Sequence, residues 1–194
     1  MIYDAHRSTS FVVRELLQKV EKQRMSMVIG IPCEDQKHEK RVPLTPETVS
    51  LLVESGYRVL LQAGAGRTIN YTDSYYAESG AEIVDSAEEV FQADLILKVL
   101  PPTLDEVGMM RTRATVFSYL HIHRLSRPLL ELMSEKKINA LAYELLYDKT
   151  GISPFVTSIS EIEGTYSIAL AAELLSNAHG GKGILLGGIP GISP

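Results

Sequence analysis

Met27-Val28-Ile29-Gly30-Ile31-Pro32 reads as a buried strand: an almost unbroken apolar run halted by a proline, with no polar residue alternating into it. The pattern repeats downstream. Thr45-Pro46-Glu47 opens a helix that Gly56 ends, and Arg58 to Leu61 is the next strand. Thr72 to Ser79 reads as a helix closed by Gly80, Glu82 to Val84 as a short strand, and Ser86 to Phe91 as a helix. Leu95 to Val99 is an apolar strand stopped by Pro101 and Pro102. Thr115 to Leu120, Arg127 to Lys136 and Ile138 to Tyr143 give a further strand, helix and strand. Ser160 to Asn177 is a long helix with the small, apolar face Ile162, Ile168, Ala169, Ala172 and Leu175. Strands that alternate with helices need right-handed crossovers, which put helices on both faces of the sheet. The predicted fold is therefore α/β, a doubly wound, mostly parallel sheet.

Upstream of Met27, the caps Ser8, Thr9 and Ser10 precede Phe11, Val12, Leu16, Leu17 and Val20 at helical spacing, which predicts an amphipathic leader helix within residues 1–26. Residues 27–155 form the α/β domain. Residues 156–194 are read as a linking helix and a glycine-rich connector, with Gly180-Gly181 and Gly187-Gly188 on either side of an apolar run. A chain that stops in such a connector is expected to continue into a further packed element.

The chain has 194 residues, 45% of them hydrophobic and 22% charged, which excludes disordered, collagen-like and membrane-embedded classes. Nineteen Lys and Arg stand against 24 Asp and Glu, a net charge of -5, so no excess of cations draws the chain to nucleic acid or an anionic membrane. Cys33 is the single cysteine and has no partner for an internal disulfide. With no apolar run of membrane length and no signal-peptide order, the chain is expected to be soluble and cytoplasmic.

Ligands of open parallel sheets bind beyond the carboxyl ends of the strands, so polar residues just after the apolar runs are the candidates. Arg41 follows the first strand, Lys98 lies at the end of Leu95 to Val99, and His121 follows Phe117-Ser118-Tyr119-Leu120. An arginine fork can hold a carboxylate through two hydrogen bonds, and a histidine can move a proton at a carbonyl or hydroxyl carbon. Together they suit a small oxo or amino acid. The plainer readings are a solvated loop arginine, a lysine whose stem covers the sheet while its ammonium points to water, and a structural histidine. His121 and His123 lack a third ligand at metal spacing, so no metal is expected. Cys33 has no activating base nearby and reads as a small packing residue. Gly64-Ala65-Gly66 lacks the third glycine and helix start of a dinucleotide fingerprint, and Lys182 is followed by Gly183 rather than by Ser or Thr. Tyr71, Tyr75 and Tyr76 read as packing.

Taken together, Val28-Ile29-Gly30-Ile31-Pro32-Cys33-Glu34, Arg41-Val42-Pro43-Leu44-Thr45-Pro46, Gln62-Ala63-Gly64-Ala65-Gly66, Leu97-Lys98-Val99, Tyr119-Leu120-His121, Ala142-Tyr143-Glu144, Ser160-Glu161 and Gly187-Gly188-Ile189-Pro190-Gly191 resemble the amino-terminal part of alanine dehydrogenases, from about Met27 to Pro194. The transhydrogenase α subunit resembles the same stretch, but the Tyr-Leu-His triplet leans toward alanine dehydrogenase. The resemblance implies a flavodoxin-like or Rossmann-like substrate domain and NAD-dependent oxidative deamination of alanine to pyruvate and ammonia. By the matching motifs Arg41 would hold the substrate carboxylate and His121 would be the acid/base, with Lys98 as a further substrate contact. NAD would be bound by a domain missing from this chain, so the fragment alone is expected to be inactive. Homo-oligomers are implied, with no membrane and no nucleic-acid partner.

Two positions depart from the family pattern. Leu100 stands where the family has a second lysine that helps bind the keto acid, and losing a charge-assisted hydrogen bond there costs about 1.5–3 kcal/mol. Thr165 stands where an arginine is usual. The first departure keeps two alternatives open: a soluble transhydrogenase subunit, and a homologue that binds a small acid without turnover.

Overall fold

The computed structural model describes residues 27–188. Within them β1 (Val28–Ile31), β2 (Arg58–Gln62), β3 (Glu82–Val84), β4 (Leu95–Leu97), β5 (Thr115–Ser118) and β6 (Asn139–Ala142) form one sheet in the order β3-β2-β1-β4-β5-β6. Every neighbouring pair is parallel, so the sheet predicted to be mostly parallel is wholly so. This is the strand order of a Rossmann-type sheet. Helices α1 (Pro46–Glu54), α2 (Asp73–Glu78), α3 (Ala87–Phe91), α4 (Leu104–Met109) and α5 (Arg127–Glu135) occupy the crossovers, and α6 (Pro154–Leu175) follows β6. None of the described helices is long and apolar enough to cross a membrane. The leader helix expected within residues 1–26, and the connector from residue 189 onward, lie outside the described residues.

The strands read as apolar runs because both faces of the sheet are covered. Successive side chains point to opposite faces, which separates two cores. Ile29, Ile31, Val59, Leu61 and Leu97 pack with Val49 of α1 and Tyr76 of α2, whereas Ile96 and Val116 pack with Phe91 of α3, Val107 of α4, and Leu129 and Met133 of α5. Each such fully buried aliphatic side chain contributes roughly 1.5–3 kcal/mol. Gly30 shows how tightly α3 lies against β1: a Cβ there would come within 2.4 Å of the Val90 carbonyl oxygen.

Four departures from the sequence reading have a local reason. Helix α4 falls where no helix was predicted; Thr103 caps it, accepting from the Glu106 N–H, while the Glu106 carboxylate accepts from the Thr103 N–H. Helix α6 starts at Pro154 rather than Ser160, because proline is preset for the first turn. Strand β4 stops at Leu97 rather than Val99, and β5 at Ser118 rather than Leu120. Beyond those points the Val99 and Leu120 N–H groups turn to side-chain carboxylates.

The connections from helix to strand are short, Ser55 to Tyr57 and Ser79 to Ala81 for example, and those from strand to helix are mostly longer, Pro32 to Thr45 being the extreme and Asp85-Ser86 the exception. In a parallel sheet the long set collects at the carboxyl edge. There the chain leaves the central strand β1 for β2 on one side and reaches β4 on the other, which opens a crevice between β1 and β4.

Candidate functional site

Three carboxylates at the carboxyl edge fix the backbone around this crevice. Glu34, just after β1, accepts from the N–H groups of Val99 (2.6 Å) and Leu100 (3.4 Å) and pairs with the Lys98 ammonium at 3.2 Å. The same ammonium lies 2.8 Å from Glu106, the partner of Thr103 in the first turn of α4. The Lys98 side chain is only 3% exposed and that of Glu34 only 4%, so this is a buried charge cluster. Burial pushes the Glu34 carboxyl above its ordinary range, against the pull of Lys98 and the two N–H groups.

Glu39 does the same for Arg41. Its carboxylate takes the Arg41 Nε at 2.9 Å and Nη2 at 2.7 Å, and also accepts from the Arg41 backbone N–H at 2.8 Å. These bonds hold Glu39 below the usual carboxylate range and keep the guanidinium firmly charged. With one edge of the fork occupied, the Nη1 and Nη2 end remains to meet a second carboxylate.

Glu144, immediately after β6, accepts from the N–H groups of His121 (2.9 Å) and Leu120 (3.1 Å). His121 takes a left-handed conformation, φ 49° and ψ 53°, which a residue with a Cβ adopts at a cost. The carboxylate clamp and the Arg124 N–H on the His121 carbonyl hold it there. Its ring rests against Tyr119 with centroids 4.2 Å apart. Tyr143 closes the region behind: its hydroxyl donates to the Val99 carbonyl at 2.9 Å, and burial pushes its phenol up to about 12.

Arg41 and His121 line one cavity of about 240 Å³, together with Val99, Leu100, Tyr119 and, from α6, Val156, Ile159, Ser160 and Glu163. That is smaller than the ~300–1,000 Å³ of sites for drug-sized molecules and fits a small acid. Lys98 does not line it. Its ammonium is not in solvent, as one sequence reading has it; it pairs with Glu34 and Glu106. It borders a neighbouring, more apolar cavity with Arg41, Phe117, Tyr143 and Phe155.

Glu39, Glu144 and Glu163 escaped the sequence reading. Glu39 lies in the loop after β1 and Glu144 just after β6, and neither carries a local pattern that marks it. Glu163 shares the spacing of Val156, Ile159 and Ser160 along one helix face. Other sequence readings have plain structural outcomes. Burial pushes the Cys33 thiol up, which leaves it a poor nucleophile. Tyr76 is fully buried and donates to the Leu44 carbonyl at 2.8 Å, and Tyr71 packs edge-on against it. A Cβ on Gly66 would lie 2.6 Å from the Tyr76 ring, so that glycine serves packing. The turn Arg67–Ile69 follows it in place of the helix that would face a pyrophosphate. The Thr165 hydroxyl donates to the Glu161 carbonyl one turn back, which does not explain why threonine stands there.

The family model described as alanine dehydrogenase/PNT, N-terminal domain, matches residues 30–163. Among individual proteins, alanine dehydrogenase of Mycolicibacterium smegmatis is 37% identical over 87% of this chain and 45% of its own length. That of Methanococcus maripaludis is 40% identical over 87% of this chain and 45% of its length. A solved structure of L-alanine dehydrogenase superposes with a TM-score of 0.79 at 35% identity, covering 87% of this chain and 46% of that one. A transhydrogenase from Sinorhizobium meliloti superposes with a TM-score of 0.54 at 28% identity, over 61% of this chain and 35% of that one. The chain thus spans less than half the length of the relatives it matches.

Proposed function

This chain belongs to the alanine dehydrogenase/PNT N-terminal domain family, and from that premise we propose that it is the substrate-binding part of an NAD-dependent oxidoreductase that interconverts L-alanine with pyruvate and ammonia. The single observation that carries the reading is the joint lining of one small cavity by Arg41 and His121. Arg41, oriented by Glu39, holds the substrate carboxylate with the free end of its fork. His121 stands beside the reacting carbon and moves a proton at the nitrogen or oxygen attached to it, its backbone fixed by Glu144 so that the ring enters the cavity. Lys98 acts from behind the wall, anchoring Glu34 and through it the Val99 and Leu100 backbone. NAD is held outside residues 27–188, and what these residues supply is binding, orientation and a proton.

Cytoplasmic location and assembly into homo-oligomers belong to the same proposal. The large apolar side chains that α6 leaves exposed, Ile162, Tyr166, Ile168 and Leu174, support the second. Leu100 in the cavity wall supports one other reading, in which a small acid is bound without turnover. Replacing His121 by Ala in the full-length protein tests the proposal: turnover should fall by about 10²–10⁴ while carboxylate binding persists. Unchanged turnover would remove His121 from the chemistry, and a wild-type protein that binds pyruvate without oxidising NADH would select the other reading.

A further inference from the structure

The cavity is lined by a basic and an acidic side chain. Among its lining residues Arg41 is the one guanidinium and Glu163 the one carboxylate, and the remaining surface facing them is mainly Val99, Leu100, Val156 and Ile159. Val156, Ile159, Ser160 and Glu163 fall at positions i, i+3, i+4 and i+7 of α6, so the helix presents all four on one face. Glu39 dominates the environment of Arg41, yet the negative charge of Glu163 also reaches the guanidinium, which places the two charges within electrostatic range across the cavity. Among the described residues Glu163 makes no salt bridge with a lysine or arginine, in contrast with Glu34, Glu39 and Glu106. A monoanionic keto acid in this cavity is drawn by Arg41 and repelled by Glu163. An amino-acid zwitterion satisfies both.

We propose that Glu163 receives the α-ammonium of the substrate, so that the site selects the zwitterion of an aliphatic α-amino acid, carboxylate on Arg41 and side chain on the Leu100 wall. This rests on Arg41 acting as the carboxylate clamp. Glu163 is then a specificity-determining residue, and it favours the amino acid over the keto acid of the same carbon skeleton.

Steady-state kinetics of the full-length protein in both directions, with L-alanine and with pyruvate, tests the assignment. Glu163→Gln should raise KM for L-alanine about tenfold with little change in kcat, and leave KM for pyruvate unchanged or lower. Glu163→Asp, which keeps the charge, should recover part of the loss. Equal changes in both KM values, or no change for L-alanine, would overturn the assignment. Should the wild type turn over neither compound, the proposed reaction falls, and NMR titration with the same two ligands decides this inference separately. Tighter binding of L-alanine than of pyruvate that Glu163→Gln abolishes would uphold it. Equal binding of the two, or binding of neither, would overturn it.

Discussion

An ammonium sealed between two carboxylates, as Lys98 is between Glu34 and Glu106, depends on its partners more than any exposed lysine does. Removing it leaves Glu34 charged in a place that disfavours charge. Lys98→Met should therefore cost about 3–5 kcal/mol in urea unfolding, and Glu34→Gln combined with Lys98→Met should regain much of that loss. A double variant no more stable than the single one would show that packing of the lysine stem, not charge, is what matters. Lys98 also shows where reading residues from the sequence runs out. Arg41 and His121, each singled out for following an apolar run at the carboxyl edge, do line one cavity. The anions around Lys98 come from the end of β1 and from the first turn of α4, and nothing in the local pattern of Leu97-Lys98-Val99 announces a partner 64 residues earlier in the chain.

Elements were more legible than single side chains. The apolar runs of β1, β2 and β4 are strong signals because those strands are covered on both faces, and Gly56 and Gly80 mark the turns that follow α1 and α2. Helix α4 is too short to show an apolar stripe; its one written signal is the Thr103 to Glu106 spacing, which the sequence reading passed over. Strand ends were overestimated wherever a distant carboxylate captures the next N–H. Contact between α3 and β1 yields a test at this scale. Gly30→Ala puts a methyl group against the Val90 carbonyl, a backbone atom that cannot swing aside. The variant should lose about 1–3 kcal/mol, seen as a lower urea midpoint with an unchanged slope. An unchanged midpoint would mean that α3 shifts freely on the sheet.

For the molecule as a whole, acid is the condition under which the framing of the site weakens. Glu39 binds a proton less readily folded than unfolded, because Arg41 stabilises its ionised form. Its contribution to stability is therefore present above the ordinary glutamate range, near ~4.3, and is lost as pH falls through its depressed value. Glu34 works in the other direction, since burial raises its affinity for a proton and its contribution fades as pH rises. Thermal melts from neutral pH down to pH ~3 should show Glu39→Gln least stable relative to wild type at neutrality, with the gap closing in acid. A gap that widens in acid would reverse the sign assigned to Glu39. The uneven lengths of the connections have one practical consequence. The residues that line the candidate cavity are gathered at one end of the sheet, and the brief links at the opposite end, such as Ser55 to Tyr57, take no part in it. A dye or surface tether coupled at that far end would hold the molecule upright on a sensor chip, with its mouth turned toward the flowing solution.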